Sequence, residues 1–248
     1  MSLLTKDSKG AKPIAFYGKK DKTIVYITEN DKGSASIQGD NCFIYPNPTN
    51  RECIYVAGQS GSGKTSFANR YAKNFRRLFP ERGIFLFTAI NPDIDPNDGF
   101  DDEGIQRINM LEFFEKNLQV DEFPDYCLII FDDCDTFRNK EMLRKVSDLQ
   151  YKILEVGRHK NIYTIILSHL LIRDNRADNA RMYNESHLLT IFPNYGNKQH
   201  IRRILSHYFN VELPVVDILL KNNKSRWMTF CRQYPKYVVC DDGVLSLE

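Results

Sequence analysis

The sequence predicts an α/β fold: a mostly parallel sheet with helices on both faces. Three observations predict it. From about residue 53 onward, short β-branched and aromatic runs alternate with helical stretches, the pattern that yields parallel strands joined by crossover helices. A glycine-rich stretch joins the first of these runs to the first helix. The third run ends in a pair of aspartates, Asp132 and Asp133. Apolar residues at 42% and charged residues at 27% sit near globular averages and exclude a disordered or fibrous chain. A net charge of +2 excludes a histone-like binder that relies on bulk charge, and leaves local basic patches open.

In order, the residues read as follows. Residues 1–52 hold short strands at Ile14–Tyr17 and Thr23–Thr28, then a polar stretch ending in Pro46 and Pro48; they form an antiparallel flap leading into the core. Core strands are expected at Cys53–Ala57, Ile84–Thr88, Cys127–Phe131, Tyr163–Ser168 and Leu188–Phe192. A helix over Thr65–Phe79 puts Phe67, Tyr71, Phe75 and Leu78 on one face and stops at Pro80. A second over Asn139–Val156 aligns Met142, Val146, Leu149, Ile153 and Val156. A further helix falls near residues 197–207, and Trp227–Cys231 with Tyr237–Cys240 read as a hairpin on a sheet edge. The expected organisation is one domain over 1–248: a β extension at 1–52, a core at 53–195, and helices with a hairpin at 196–248.

Gly58-Gln59-Ser60-Gly61-Ser62-Gly63-Lys64-Thr65 fits GxxxxGK[ST] at every fixed position, directly after a strand and at the start of a helix. Glycines let backbone N–H groups close around an anion, and the helix N-terminus adds its partial positive charge. Gly58 through Ser66 therefore form the expected phosphate cradle of a P-loop NTPase, with Lys64 reaching the β- and γ-phosphates of ATP and Thr65 ligating Mg²⁺. About 65 residues further on, the strand ending in Asp132-Asp133 supplies the expected second half of such a site. Asp132 would hold the Mg²⁺ hydration shell, and Asp133 would orient or deprotonate the attacking water. Ser168 or His169, at the tip of another buried strand, would touch the γ-phosphate or its water. Arg158, at a helix-to-strand break in Gly157-Arg158-His159-Lys160, is the foremost candidate for the cation that stabilises the transition state, with Arg173, Arg176 and Arg181 as alternatives.

These residues together resemble the genome-packaging ATPases of large DNA viruses and virophages, a branch of the FtsK–HerA superfamily of DNA-pumping motors. GQSGSGKT carries the resemblance, with Ile84-Phe85-Leu86-Phe87-Thr88 and Asn91-Pro92-Asp93, Leu128-Ile129-Ile130-Phe131-Asp132-Asp133, and Gly157-Arg158-His159. It runs from about residue 53 to 195. His169 departs from it, standing where many relatives carry glutamine. The resemblance implies an ASCE-type, RecA-like core and an ATPase that assembles into a homo-oligomeric ring, a pentamer or hexamer. It implies that double-stranded DNA is moved without sequence preference into a capsid, with a capsid vertex protein as partner and the arginine supplied in trans. It also implies work in the host cytoplasm, at a virus factory, and in the virion.

Basic groups that could meet DNA phosphates are Arg70, Lys73, Arg76 and Arg77 on the first helix, then Lys198, Arg202, Arg203 and His207, then Lys221, Lys224 and Arg226. Each also reads as a solvated helix face. The acidic run Asp93, Asp95, Asp98, Asp101, Asp102, Glu103 does not fit a calcium loop, since Gly99 and Glu103 are each one residue out of register. No apolar run approaches the ~20 residues of a membrane span, and the N-terminus lacks a signal peptide's apolar core, so an intracellular protein with free cysteines is expected. Two other functions fit a P-loop: a nucleotide or small-metabolite kinase, with Arg173-Asp174-Asn175-Arg176 imitating a lid, and a scaffold that binds nucleotide without turnover.

Overall fold

Apolar runs of four to six residues, too short for a buried helix, form most of the buried strands of this chain. A computed structural model describes residues 10–18, 23–28, 36–39, 41–88, 99–101, 104–108, 113–115, 118–136, 139–172, 176–222 and 224–247. Asn91-Pro92-Asp93, most of the acidic run and Arg173–Asn175 lie outside the described residues, as does the side chain of Arg176. The chain forms two compact units, Pro48–Ser186 and a second made of Met1–Asn47 with His187–Glu248.

In the second unit, β1 (Lys12–Tyr17) pairs antiparallel with β2 (Thr23–Ile27) and with β4 (Phe43–Ile44), the expected flap. The short β3 (Ser36–Gln38) joins a different sheet of the same unit, described below.

Pro48–Ser186 holds β5 (Cys53–Ala57), α1 (Lys64–Leu78), β6 (Ile84–Thr88), β7 (Ile105–Ile108), β8 (Leu128–Asp132), α2 (Lys140–Val156), β9 (Tyr163–Ser168) and α3 (Arg176–Glu185). Its strands run parallel in the order β5-β9-β8-β6-β7. β5, β6, β8 and β9 are buried along their whole length, as a sheet covered on both faces requires. Phe87 and Phe131 stack at 4.8 Å between adjacent strands, and Phe75 of α1 meets Tyr163 of β9 edge-on at 5.1 Å. Asn139 caps α2, its side chain accepting from the N–H groups of Glu141 and Met142. The register places Ala57 beside Ser168 and Thr88 beside Asp132, so the strand tips end at one edge.

The remainder of the second unit holds β10 (Leu188–Ile191), α4 (Lys198–Tyr208), α5 (Leu213–Asn222), β11 (Met228–Cys231), β12 (Tyr237–Cys240) and β13 (Gly243–Ser246). These strands are antiparallel in the order β10-β11-β12-β13-β3. Two features differ from the sequence expectation. The hairpin is not an edge: β11 lies between β10 and β12, and a further strand follows β12 through a tight turn at Asp241-Asp242. Gly243 sits so close to Ile37 of β3 that a Cβ would stand 2.3 Å from its carbonyl oxygen, which fixes glycine there. α3 and α5 had no legible stripe, because α3 is mostly polar around its circumference and α5 mostly apolar.

Candidate active site

The loop from Gly58 to Gly63 leaves β5 and enters α1 through two left-handed glycines, Gly61 (φ 75°) and Gly63 (φ 109°), a backbone path that side-chain-bearing residues resist. Its first N–H, from Gly58, donates to the carbonyl of Ser168 at 3.1 Å, tying the loop to the tip of β9. Lys64 is buried and its ammonium donates to the carbonyls of Gly58 (2.9 Å) and Gln59 (3.3 Å), so the loop holds the charge that a phosphate would draw out. Burial pulls the Lys64 ammonium below the usual lysine range, opposed by Asp133, Asp132 and Asp135.

Thr65 donates its hydroxyl to Asp132 Oδ2 at 3.1 Å, which joins the start of α1 to the tip of β8. Asp132 is 1% exposed, and its other oxygen, Oδ1, has no hydrogen-bond partner among the described residues. Burial and the neighbouring Asp133 push its carboxyl up to about 6, against the pull of Thr65 and Lys64. An orphaned carboxylate oxygen beside a threonine hydroxyl is a donor set that fits Mg²⁺, a hard cation preferring oxygen. Thr65 and Asp132 are therefore the residues that would hold it.

Asp133 follows in the left-handed region (φ 52°), which turns its side chain out of the strand direction. His169 lies between two carboxylates, with Nε2 3.5 Å from Asp133 Oδ1 and Nδ1 3.2 Å from Asp135 Oδ1. Asp135 also accepts from the Ser168 hydroxyl (2.8 Å) and the His169 N–H (2.9 Å). Burial raises the Asp135 carboxyl, but these bonds outweigh it and hold the group below the usual carboxylate range. The ligand atoms of Asp133, Asp135 and His169 fall within 4.8 Å of one another, yet the ring gives one nitrogen to each carboxylate, which suits a hydrogen-bond chain rather than a shared ion. No motif in the sequence singles out Asp135. The missed signal was the tight 3-10 turn Cys134–Thr136, which directs that carboxylate back at β9.

Arg158 is not among these groups. Its turn, Gly157–Lys160, precedes β9, so the length of that strand, roughly 17 Å at ~3.3 Å per residue, separates it from the end that carries Ser168. The Arg158 side chain is exposed and has no partner among the described residues. Arg51 supports this turn: buried, it donates to the last carbonyls of α2, Ile153 (3.0 Å) and Leu154 (2.6 Å). Arg181 is engaged elsewhere, paired with Glu155 at 3.1 Å and lying over the Tyr151 ring.

Two of the basic groups on α1 serve the chain itself. Lys73 pairs with Asp101 at 2.8 Å and Arg76 donates to the Gly104 carbonyl at 2.6 Å, fastening the segment in which Gly99 abuts the Thr65 methyl. In the other unit Arg202 pairs with Asp217 at 3.0 Å, linking α4 to α5. No helix of the described residues is long and apolar enough to cross a membrane.

No protein-family model matches the chain. It is 35% identical over 250 residues to an uncharacterized protein, V3, of Sputnik virophage, covering 98% of both chains. Among solved structures it is similar to B204, the DNA-packaging ATPase from Sulfolobus turreted icosahedral virus, with a TM-score of 0.50 at 11% identity over 77% of this chain and 97% of that one. The genome-packaging NTPase B204 of Sulfolobus turreted icosahedral virus 2, in complex with ATP-gammaS, gives a TM-score of 0.47 at 11% identity over 79% and 96%. With the phosphate loop, the paired Thr65 and Asp132 and the parallel sheet in view, the fold is that of a P-loop NTPase, and the chain belongs to one family with the virophage protein V3.

Proposed function

We propose that this protein is a Mg²⁺-dependent ATPase that assembles into a ring and drives double-stranded DNA into a viral capsid. The observation that carries the ATPase reading is the meeting of Lys64, Thr65, Asp132, Asp133 and His169 at one edge of a parallel sheet. The packaging reading is supported by the virophage relative and by the sequence elements shared with FtsK–HerA motors.

The loop N–H groups and the start of α1 bind the phosphates, and Lys64 exchanges its loop carbonyls for phosphate oxygens. Thr65 and Asp132 would hold a Mg²⁺ ion, which would supply positive charge against the phosphate oxygens. Asp133 orients the water that attacks the γ-phosphorus and accepts its proton, with His169 beside it. The bond from the γ-phosphorus to the bridging oxygen breaks, giving ADP and phosphate. Arg158 acts in trans: exposed and a strand's length from its own loop, it supplies a neighbouring subunit's site with the missing positive charge. Capsid delivery and a vertex partner belong to the same reading.

The test is steady-state ATP hydrolysis with and without long duplex DNA across protein concentrations, with the mass determined in the same buffer. DNA-stimulated turnover that rises steeply with concentration, at a ring-sized mass, is expected. A monomer whose turnover is indifferent to DNA at every concentration would overturn the motor reading.

A further inference from the structure

Asp135 lies outside the motifs of the phosphate loop and the strand end, yet it gathers more of the site than either flanking carboxylate. Its Oδ2 accepts two hydrogen bonds, from the Ser168 hydroxyl at 2.8 Å and from the His169 backbone N–H at 2.9 Å, and its Oδ1 stands 3.2 Å from His169 Nδ1. The backbone just beyond is pinned as well, since Tyr55 of β5 donates to the Leu170 carbonyl at 2.6 Å and Tyr183 of α3 donates to that of Leu171. The imidazole is thus held from its main chain and from one ring nitrogen, and the other nitrogen points at Asp133.

We propose that Asp135 is a positioning residue that keeps the proton of His169 on Nδ1, so that the Nε2 lone pair and the Asp133 carboxylate face the attacking water together. The inference rests on the ATPase reading above. An ionised carboxylate only accepts, and a neutral ring has one N–H to give; Nδ1, 3.2 Å from Asp135 against 3.5 Å between Nε2 and Asp133, is the nitrogen placed to donate. Asp133 and Nε2 are then two acceptors 3.5 Å apart, and the group that satisfies both is a donor with two protons, which a water molecule is. A neutral imidazole has two tautomers, and the contact with Asp135 selects one of them.

Replacing Asp135 by asparagine gives a defined reversal. The position of Oδ2 receives the His169 N–H, which can only donate, so the amide oxygen must take that side. The amide NH₂ is left facing Nδ1 and donates to it, which moves the ring proton to Nε2, as happens when the orienting carboxylate of a catalytic histidine is changed to an amide.

The test uses the full chain with ¹⁵N-labelled histidine, the His169 signals being assigned by their loss in His169→Gln. At a pH where the ring is neutral, the wild type is expected to carry the proton on Nδ1 and Asp135→Asn on Nε2. In turnover, Asp135→Asn is expected to lower kcat about 10²-fold with KM within about threefold, because one of the two acceptors that orient the attacking water is lost while phosphate binding is kept. The double variant with His169→Gln should be no slower than His169→Gln alone. A wild-type ring protonated on Nε2 overturns the proposal without any variant, as does an unchanged tautomer in Asp135→Asn. Additive losses in the double variant would show Asp135 acting independently of His169 and also overturn it. Absence of ATP turnover in the wild type would sink the ATPase reading instead, and the ring tautomer would still decide whether Asp135 holds His169.

Discussion

At the two ends of the Pro48–Ser186 sheet, charge is handled in opposite ways. Where β5, β8 and β9 finish, Lys64, Asp132, Asp133, Asp135 and His169 are buried or half-buried: burial pulls Lys64 down and pushes Asp132 up, and against burial the bonds from His169 and Ser168 hold Asp135 down. Where β9 begins, a buried arginine, Arg51, closes the end of α2, and the exposed Arg158 projects beyond it with no carboxylate beside it among the described residues. One end holds anions and a metal-ready oxygen; the other offers an uncompensated cation. The proposed action of Arg158 in trans rests on this contrast, and each of the following changes breaks or sharpens it.

Removing the distant cation should have the largest effect. Arg158→Ala is expected to lower turnover about 10³-fold or more while ATP affinity stays unchanged. Mixing it with Lys64→Ala should restore part of the activity, since some sites then pair an intact loop with an intact arginine; a mixture no more active than its parts would refute action in trans. Lys64→Ala, at the other end, should reduce turnover about 10²–10³-fold and weaken nucleotide binding as well, which separates the two ends by equilibrium titration with a fluorescent ATP analogue.

Stability tests read the ends without catalysis. Arg51→Met keeps most of the side-chain volume but strands the carbonyls of Ile153 and Leu154, and should cost about 2–3 kcal/mol in denaturant unfolding. If Arg51 serves the turn that carries Arg158, turnover should fall further than the loss of folded protein explains. Asp132→Asn should act in the opposite direction. A carboxyl raised to about 6 in the fold favours the protonated native state, so its contribution is fully present below about pH 4 and is lost as pH rises through about 6. In the absence of nucleotide and metal the asparagine variant should therefore be about 1–2 kcal/mol more stable at pH 7.5 and no more stable at pH 4. Equal melting at both values would mean that Asp132 carries no such strain.

Periodicity found the long helices because α1 and α2 each bury one stripe, and the strands because β5, β6, β8 and β9 are mostly apolar and buried along their length. Their boundaries moved by a residue at most: α1 opens at Lys64, and β8 extends through Asp132. The same reasoning failed on β7, half-exposed and only four residues long, and on β13, which depends on a two-residue turn and on close contact with β3 rather than on its own pattern. In the candidate site, the loop, Asp132 and Asp133 stand out in the sequence because phosphate and metal chemistry restricts residue types at fixed spacing. Asp135 was not, because its importance lies in three hydrogen bonds to residues more than thirty positions away.

The sequence by itself determined the local machinery: which backbone can cradle a phosphate, which hydroxyl and carboxylate suit a cation, and which strands must be buried. Tertiary structure alone decided what those parts face. Parallel register brought the tips of β5, β8 and β9 to one edge, turned His169 between two aspartates, committed Lys73 and Arg76 to the chain's own segments, and left Arg158 a strand's length away from the loop. The physical reason is that propensity and spacing act over a few residues, whereas burial, hydrogen-bond satisfaction and charge compensation are settled only by which distant groups the sheet brings together.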